Sequence, residues 1–149
     1  MKNKQRIIIP ITLIITVVGL YAYKEFNRKN KDLGKVRPDV HIRADSLIKS
    51  FESDEASATA TFLTKKKLVL AVTGRVKKVM KDEMGYYTIT MGDVTSMSSV
   101  RCSMDSLHAR DAITIGTGDS VTIQGAISGF NKDDFLGSDV LLNRCVIIH

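Results

Sequence analysis

Leu68-Val69-Leu70-Ala71-Val72-Thr73-Gly74-Arg75-Val76, residues 68–76, is where the chain changes period. From Leu68 onward the period is two. Leu68, Leu70, Val72 and Val76 fall on one side and Thr73, Arg75 and Lys77 on the other, the pattern of a half-buried strand. Gly74 stands in mid-strand, where a missing side chain predicts a bulge or a sharp bend.

The same period continues downstream. The turn Lys81-Asp82-Glu83-Met84-Gly85 leads to a second strand, Tyr86–Gly92, with Tyr87, Ile89 and Met91 on one face and Tyr86, Thr88 and Thr90 on the other. A third strand over about residues 98–104 turns Val100, Cys102 and Met104 inward. Residues 105–113 then read as a short helix or turn, ended by Gly116 and Gly118. A fourth strand, Ser120–Ser128, alternates at Val121, Ile123 and Ile127, and a fifth runs Val140–Ile148. Upstream, Leu47, Ile48 and Phe51 recur at helical spacing, and Ala56, Ala60 and Phe62-Leu63 resume it after Ser53-Asp54. Asp54 is placed to cap that second piece. Residues 43–63 are therefore expected to be a helical lead-in, with Lys65-Lys66-Lys67 as a solvated turn.

A helix, three strands, a short helix and two more strands, with a glycine bending the first strand, is the order of a five-stranded OB barrel. The fold class expected is an all-β core of that kind, preceded by a helical lead-in and an N-terminal transmembrane helix. The domain plan is a signal anchor over 1–23, a polar basic linker over 24–42, and an OB domain with its N-terminal helix over 43–149.

Several stretches carry a more specific likeness: Val72-Thr73-Gly74-Arg75-Val76, Val100-Arg101-Cys102, Gly118-Asp119-Ser120-Val121-Thr122-Ile123-Gln124-Gly125, and Asp139-Val140-Leu141-Leu142-Asn143-Arg144-Cys145. With the helix ending near Asp54-Glu55-Ala56, they make the chain resemble the bacterial OB-fold family called tRNA-anti-like over residues 43–148. That resemblance implies a small exported or membrane-anchored protein with one N-terminal hydrophobic segment, and it implies no particular activity. Members often have a further cysteine in the fourth strand. The matching stretch here, Gly125-Ala126-Ile127-Ser128-Gly129, has none.

The net charge of +6 suggests a nucleic-acid partner until it is located. Lys2, Lys4 and Arg6 stand without an acid before residue 24. Lys24, Arg28, Lys29, Lys31, Lys35 and Arg37 face only Glu25 and Asp32 over residues 24–37, whereas residues 38–149 hold 13 basic and 14 acidic side chains. All the excess is N-terminal. There it brackets residues 7–23, IIIPITLIITVVGLYAY, which carry no charge. As a helix those 17 residues span roughly 25 Å, the short end of what crosses a bilayer. Tyr21, Tyr23 and Phe26 cluster at one end, as an interfacial belt does. A cleaved signal peptide is the competing reading, but small residues do not occur together at the positions a cleavage site needs. The expectation is an uncleaved, single-pass anchor in the inner membrane, with the C-terminal domain on the periplasmic or exoplasmic side.

OB domains bind oligomers on the outer face of their second and third strands, between the loops joining strands one to two and four to five. Here that face would show Arg75, Lys77, Tyr86, Thr88, Thr90, Ser99, Arg101 and Ser103, of which Arg75, Lys77, Tyr86, Thr88 and Arg101 are the ligand-face candidates. Stacking of bases asks for several exposed aromatics, and Tyr86 alone qualifies. Both rim loops carry acid pairs, Asp82-Glu83 and Asp133-Asp134, which repel phosphate as much as the neighbouring lysines attract it. Nucleic acid is thus disfavoured as a partner.

Cys102 and Cys145 fall on neighbouring strands of such a barrel. A disulfide, which would close a 44-residue loop and contribute about 4 kcal/mol in the chain-entropy model, competes with a pair of buried thiols. His41, His108 and His149 each stand without a patterned partner. Met80, Met84, Met91, Met97 and Met104 read as core filling. No metal, cofactor or catalytic constellation is legible. The functional expectation is a non-catalytic, membrane-anchored binding module of the cell envelope, with a protein, peptide or glycan ligand. A tethered single-stranded nucleic-acid binder is the first rival. An enzyme whose site assembles only in three dimensions is the second.

Overall fold

The computed structural model describes the backbone of residues 2–27, 31–65 and 68–148, with side chains from residue 14 onward. It separates into two units, residues 1–31 and residues 32–149.

The first unit is a helix, α1 (Lys2–Phe26). Among the described residues no helix is long and apolar enough to cross a membrane. The side chains of residues 7–13, the first part of the segment expected to span the bilayer, lie outside the described residues.

The second unit is built on a closed barrel of five strands: β2 (Val69–Lys81), β3 (Tyr87–Met91), β4 (Ser99–Met104), β5 (Ser120–Asn131) and β6 (Asp139–Ile148). They pair in the order β2-β3-β4-β6-β5 and return to β2. The β4–β6 seam is parallel; the other barrel seams are antiparallel. This is the OB order expected from the alternation. Each inward row is buried: Leu70, Val72 and Val76 on β2, Ile89 and Met91 on β3, Val100 and Cys102 on β4.

Closure depends on β2 changing partners. Residues 69–75 pair with β5 and residues 76–81 with β3, and one extra residue enters between Val76 and Lys78. The bulge is therefore at Lys77 and not at Gly74, where the sequence predicts a bulge or a sharp bend. Gly74 has a different reason to be glycine: a Cβ there would lie 2.8 Å from the Cβ of Ala44.

Ala44 opens α2 (Ala44–Ser53), which buries Leu47, Ile48 and Phe51 against the barrel. Phe51 stacks on Phe130 of β5 at 4.7 Å and tilts against Phe62 at 5.9 Å. Asp54 ends α2 and starts α3 (Glu55–Ala58), its carboxylate accepting from the Ser57 N–H at 2.9 Å. A π-type turn, Thr59–Leu63, follows. Ala58 and Phe62 face the core here, while Ala56 and Ala60 are exposed. The polar stretch after β4 is a 3-10 helix, Ser106–Thr114, capped by Asp105.

Residues 32–42, read from sequence as part of a linker over 24–42, are built into this unit. Because β3 is short, the first half of β2 would offer a bare edge. Strand β1 (Val40–Arg43) fills it, pairing in parallel with Leu70–Thr73. Before it, a 3-10 turn (Leu33–Lys35) lays Leu33 against Val69 and Val146 in a second apolar cluster outside the barrel. Gln124, buried beneath that turn, donates to the carbonyls of Leu33 at 2.6 Å and of Val36.

Candidate ligand-binding face

The outer face of β2, β3 and β4 is set by two registers. Lys78 and Met80 stand opposite Thr90 and Thr88, which in turn stand opposite Arg101 and Ser103. Because successive side chains of a strand alternate between faces, burial of Ile89 and Cys102 inside leaves Thr88, Thr90, Arg101 and Ser103 outside. Arg101 is held by Asp139, its Nε 2.8 Å from the carboxylate.

The candidates do not all gather there. Lys77 is the bulged residue, and its ammonium turns away to donate to the carbonyls of Ser96 and Ser98 and to the Ser99 hydroxyl, at 2.6, 3.1 and 2.9 Å. It clamps the β3–β4 loop, and Ser99 is buried. Lys78 occupies the position that strict alternation had assigned to Lys77. Arg75 lies at the corner where β2 leaves β5, and it lines a separate cleft of about 350 Å³ with Arg43, Asp45, Thr73, Asp93 and Ser120.

Two loops frame the face. In the β2–β3 loop, Asp82 closes a tight turn by accepting from the Tyr86 N–H at 2.8 Å, and Gly85 takes φ +88°. Tyr86 is left 51% exposed, beside a protruding Met84. In the β5–β6 loop, the Asp133 carboxylate accepts from the N–H groups of Leu136 and Phe135, which holds its pKa below the ordinary carboxylate value. Asp133 so shaped projects Phe135, 88% exposed, and Leu136. Gly137, at φ +82°, packs against the Met97–Ser98 backbone, where any Cβ would come within 2.6 Å. Phe135 is not among the face candidates legible in the sequence. The apolar pair Phe135-Leu136 between Asp134 and Gly137 was its available signal, since such a turn has no core to enter. Met84 and Met97 are likewise exposed; Met91 and Met104 are the buried methionines.

His108 corrects another expectation. Its Nε2 lies 2.9 Å from Asp32 and its Nδ1 3.3 Å from Asp111, so the imidazole ties the start of the domain to the 3-10 helix. Lys35 sits 3.8 Å from the other oxygen of Asp32. Burial disfavours the charged ring, but the Asp32 hydrogen bond and the two carboxylate charges outweigh it and raise the His108 pKa above 6.5. The His108 hydrogen bond in turn lowers that of Asp32 below 3.8. His108 thus stabilises the fold fully below about pH 6.5 and loses its contribution as pH rises through the raised value; Asp32 contributes above about pH 3.8 and loses it on acidification. Thermal melts of His108→Gln should show a deficit of about 1 kcal/mol near pH 6 that shrinks near pH 9. An equal deficit at both would remove the charged ring from the account. His41 is exposed, and His149 lies outside the described residues.

Cys102 and Cys145 are both free and buried. Among the described residues, no group of three or more histidine, cysteine or acidic side chains could hold a metal ion.

The profile of the tRNA_anti-like family matches residues 1–146. The chain belongs to this family. The match extends the likeness of residues 43–148 through the N-terminal segment. Among solved structures, the tRNA-anti-like chain is similar to a "putative nucleic acid-binding lipoprotein" from Klebsiella pneumoniae, with a TM-score of 0.55 at 15% identity, over 81% of this chain and 100% of the other. At that identity the likeness concerns the fold. No curated protein matches the chain.

Proposed function

We propose that this tRNA-anti-like protein is a membrane-anchored OB module of the bacterial cell envelope. It binds a protein, peptide or glycan chain across the outer face of β2–β4, without catalysis. The observation that carries the reading is the charge balance of that face and its rims. Lys78 and Arg101 are the basic groups of the face, and Asp139 pairs with Arg101. Asp82, Glu83, Asp133 and Asp134 stand on the rims, and residues 32–149 hold 15 basic and 15 acidic side chains. A phosphate chain gains affinity by releasing counterions to a basic surface, and this surface offers little for that. A row of hydroxyls at Thr88, Thr90 and Ser103, with Tyr86 at its margin, suits hydrogen bonding to a neutral or zwitterionic chain. The uncharged run 7–23 between basic flanks supports the anchor and an exported domain.

Single-stranded nucleic acid is the rival. The name given to the Klebsiella lipoprotein favours it, as do two exposed aromatics, Tyr86 and Phe135, on the rims. Fluorescence anisotropy of labelled single-stranded DNA and RNA, titrated with the full-length chain at low and physiological salt, separates the two. No rise in anisotropy is expected. Micromolar binding with a steep salt slope, abolished by Tyr86→Ala with Phe135→Ala, would overturn the reading. An alkaline-phosphatase fusion at the C-terminus should be active; an inactive, cytoplasmic fusion would sink the exported location.

A further inference from the structure

Cys102 and Cys145 are the only cysteines in the chain. They sit on β4 and β6, the parallel seam of the barrel, both fully buried, with Cys102 a neighbour of the Cys145 thiol. Regular pairing would not put them there. Val140 and Leu142 face inward on β6, so strict alternation would next send Arg144 into the core and Cys145 out. Instead β6 carries one extra residue against both neighbours, between Leu142 and Cys145 along β4 and between Asn143 and Val146 along β5. Arg144 takes the left-handed conformation, φ 53°, which a non-glycine residue adopts at a cost. The phase of the strand flips, and Cys145 and Ile147 turn inward. On β5, Gly125 leaves the space the sulfur fills: a Cβ there would lie 2.6 Å from the Cys145 Sγ.

A bulge, a left-handed arginine and a glycine thus converge on one sulfur beside another. We propose that Cys102 and Cys145 become a disulfide when the chain folds in the presence of a disulfide oxidant, stapling β4 to β6. In the reaction, one cysteine thiolate attacks the oxidant's disulfide to give a mixed disulfide and release one thiol. The second cysteine then displaces the other thiol as the Cys102–Cys145 bond forms. Two electrons pass to the oxidant, and the two protons end on its released thiols. The nucleophile is the thiolate. In the closed barrel, burial pushes the Cys145 thiol up, and the neighbouring Cys102 adds to this. Oxidation therefore belongs to the folding chain, before the core shuts, and the finished bond is shielded from reductant.

The test is a thiol count on the full-length chain. Reduced protein is unfolded, refolded with glutathione disulfide, then denatured again and treated with iodoacetamide. Neither cysteine should alkylate, and the intact mass should fall by two hydrogens. Reduced protein that is already folded, given the same oxidant for the same time, should keep both thiols. The pairing is overturned if the refolded chain alkylates at both cysteines or carries glutathione on either. It is overturned as a folding-coupled event if the folded chain oxidises as fast as the refolding one. Because the count is made after denaturation and needs no ligand, its failure is distinct from failure of the binding reading.

Discussion

Phe51→Ala should cost the full-length chain about 3–5 kcal/mol of unfolding free energy. Phe51 is 1% exposed and is among the largest fully buried side chains of the domain. With Leu47 and Ile48 it packs α2 on the barrel, and its ring stacks on Phe130 at 4.7 Å with an interplanar angle of 19° and meets Phe62 at 5.9 Å. Truncation removes the buried area and both ring contacts, and it leaves a void among rigid strands that cannot collapse around it. Phe51→Leu keeps most of the volume and should lose about half as much. Urea melts of the two variants in mild detergent check the order. A Phe51→Ala loss below that of Phe51→Leu would mean that α2 does not seal the core.

Gly125→Ala has the second-largest expected effect, a loss of about 1–3 kcal/mol from overpacking. The added methyl would stand 2.6 Å from the Cys145 Sγ and 3.2 Å from the Leu142 Cβ. A cysteine has a single rotatable side-chain bond, and the seam behind it is hydrogen-bonded to β4 and β5, so little can give. Pairing the change with Cys145→Ala removes the sulfur and should recover part of the loss, making the double variant more stable than the sum of the singles. Simple additivity in a double-mutant cycle, read by urea melts under reducing conditions, would show that the clash lies elsewhere.

The five barrel strands were legible because alternation is local. Each inward residue of β3 and β4 is two positions from the next, and no partner is needed to see it. Glycine spacing and the Asp54 cap are local in the same sense, and the helix break at Asp54 followed from them. Lys77 was misplaced because a bulge belongs to a pair of strands: only the register of β2 against β3 reveals the extra residue. Leu33 and Val36 were illegible for a related reason. They are too few for a periodic signal; Leu33 is buried and Val36 half-buried against Val69 and Val146, and Gln124, 88 or more positions away in sequence, holds their carbonyls. His108 and Asp32 are joined across 76 positions, beyond any spacing rule.

The sequence by itself determined the alternation, and with it the all-β core, the order of the elements and the domain of near-zero net charge behind a basic, apolar N-terminus. Each of these follows from residue types and their immediate spacing. Tertiary structure decided which outward residues remain free. Lys77 became a clamp, Arg75 turned to a corner cleft, and Cys145 entered the core in place of Arg144. The physical reason is that closing a barrel from strands of unequal length forces extra residues into particular seams. Each bulge reverses the phase of everything after it, and its position is a property of the paired strands.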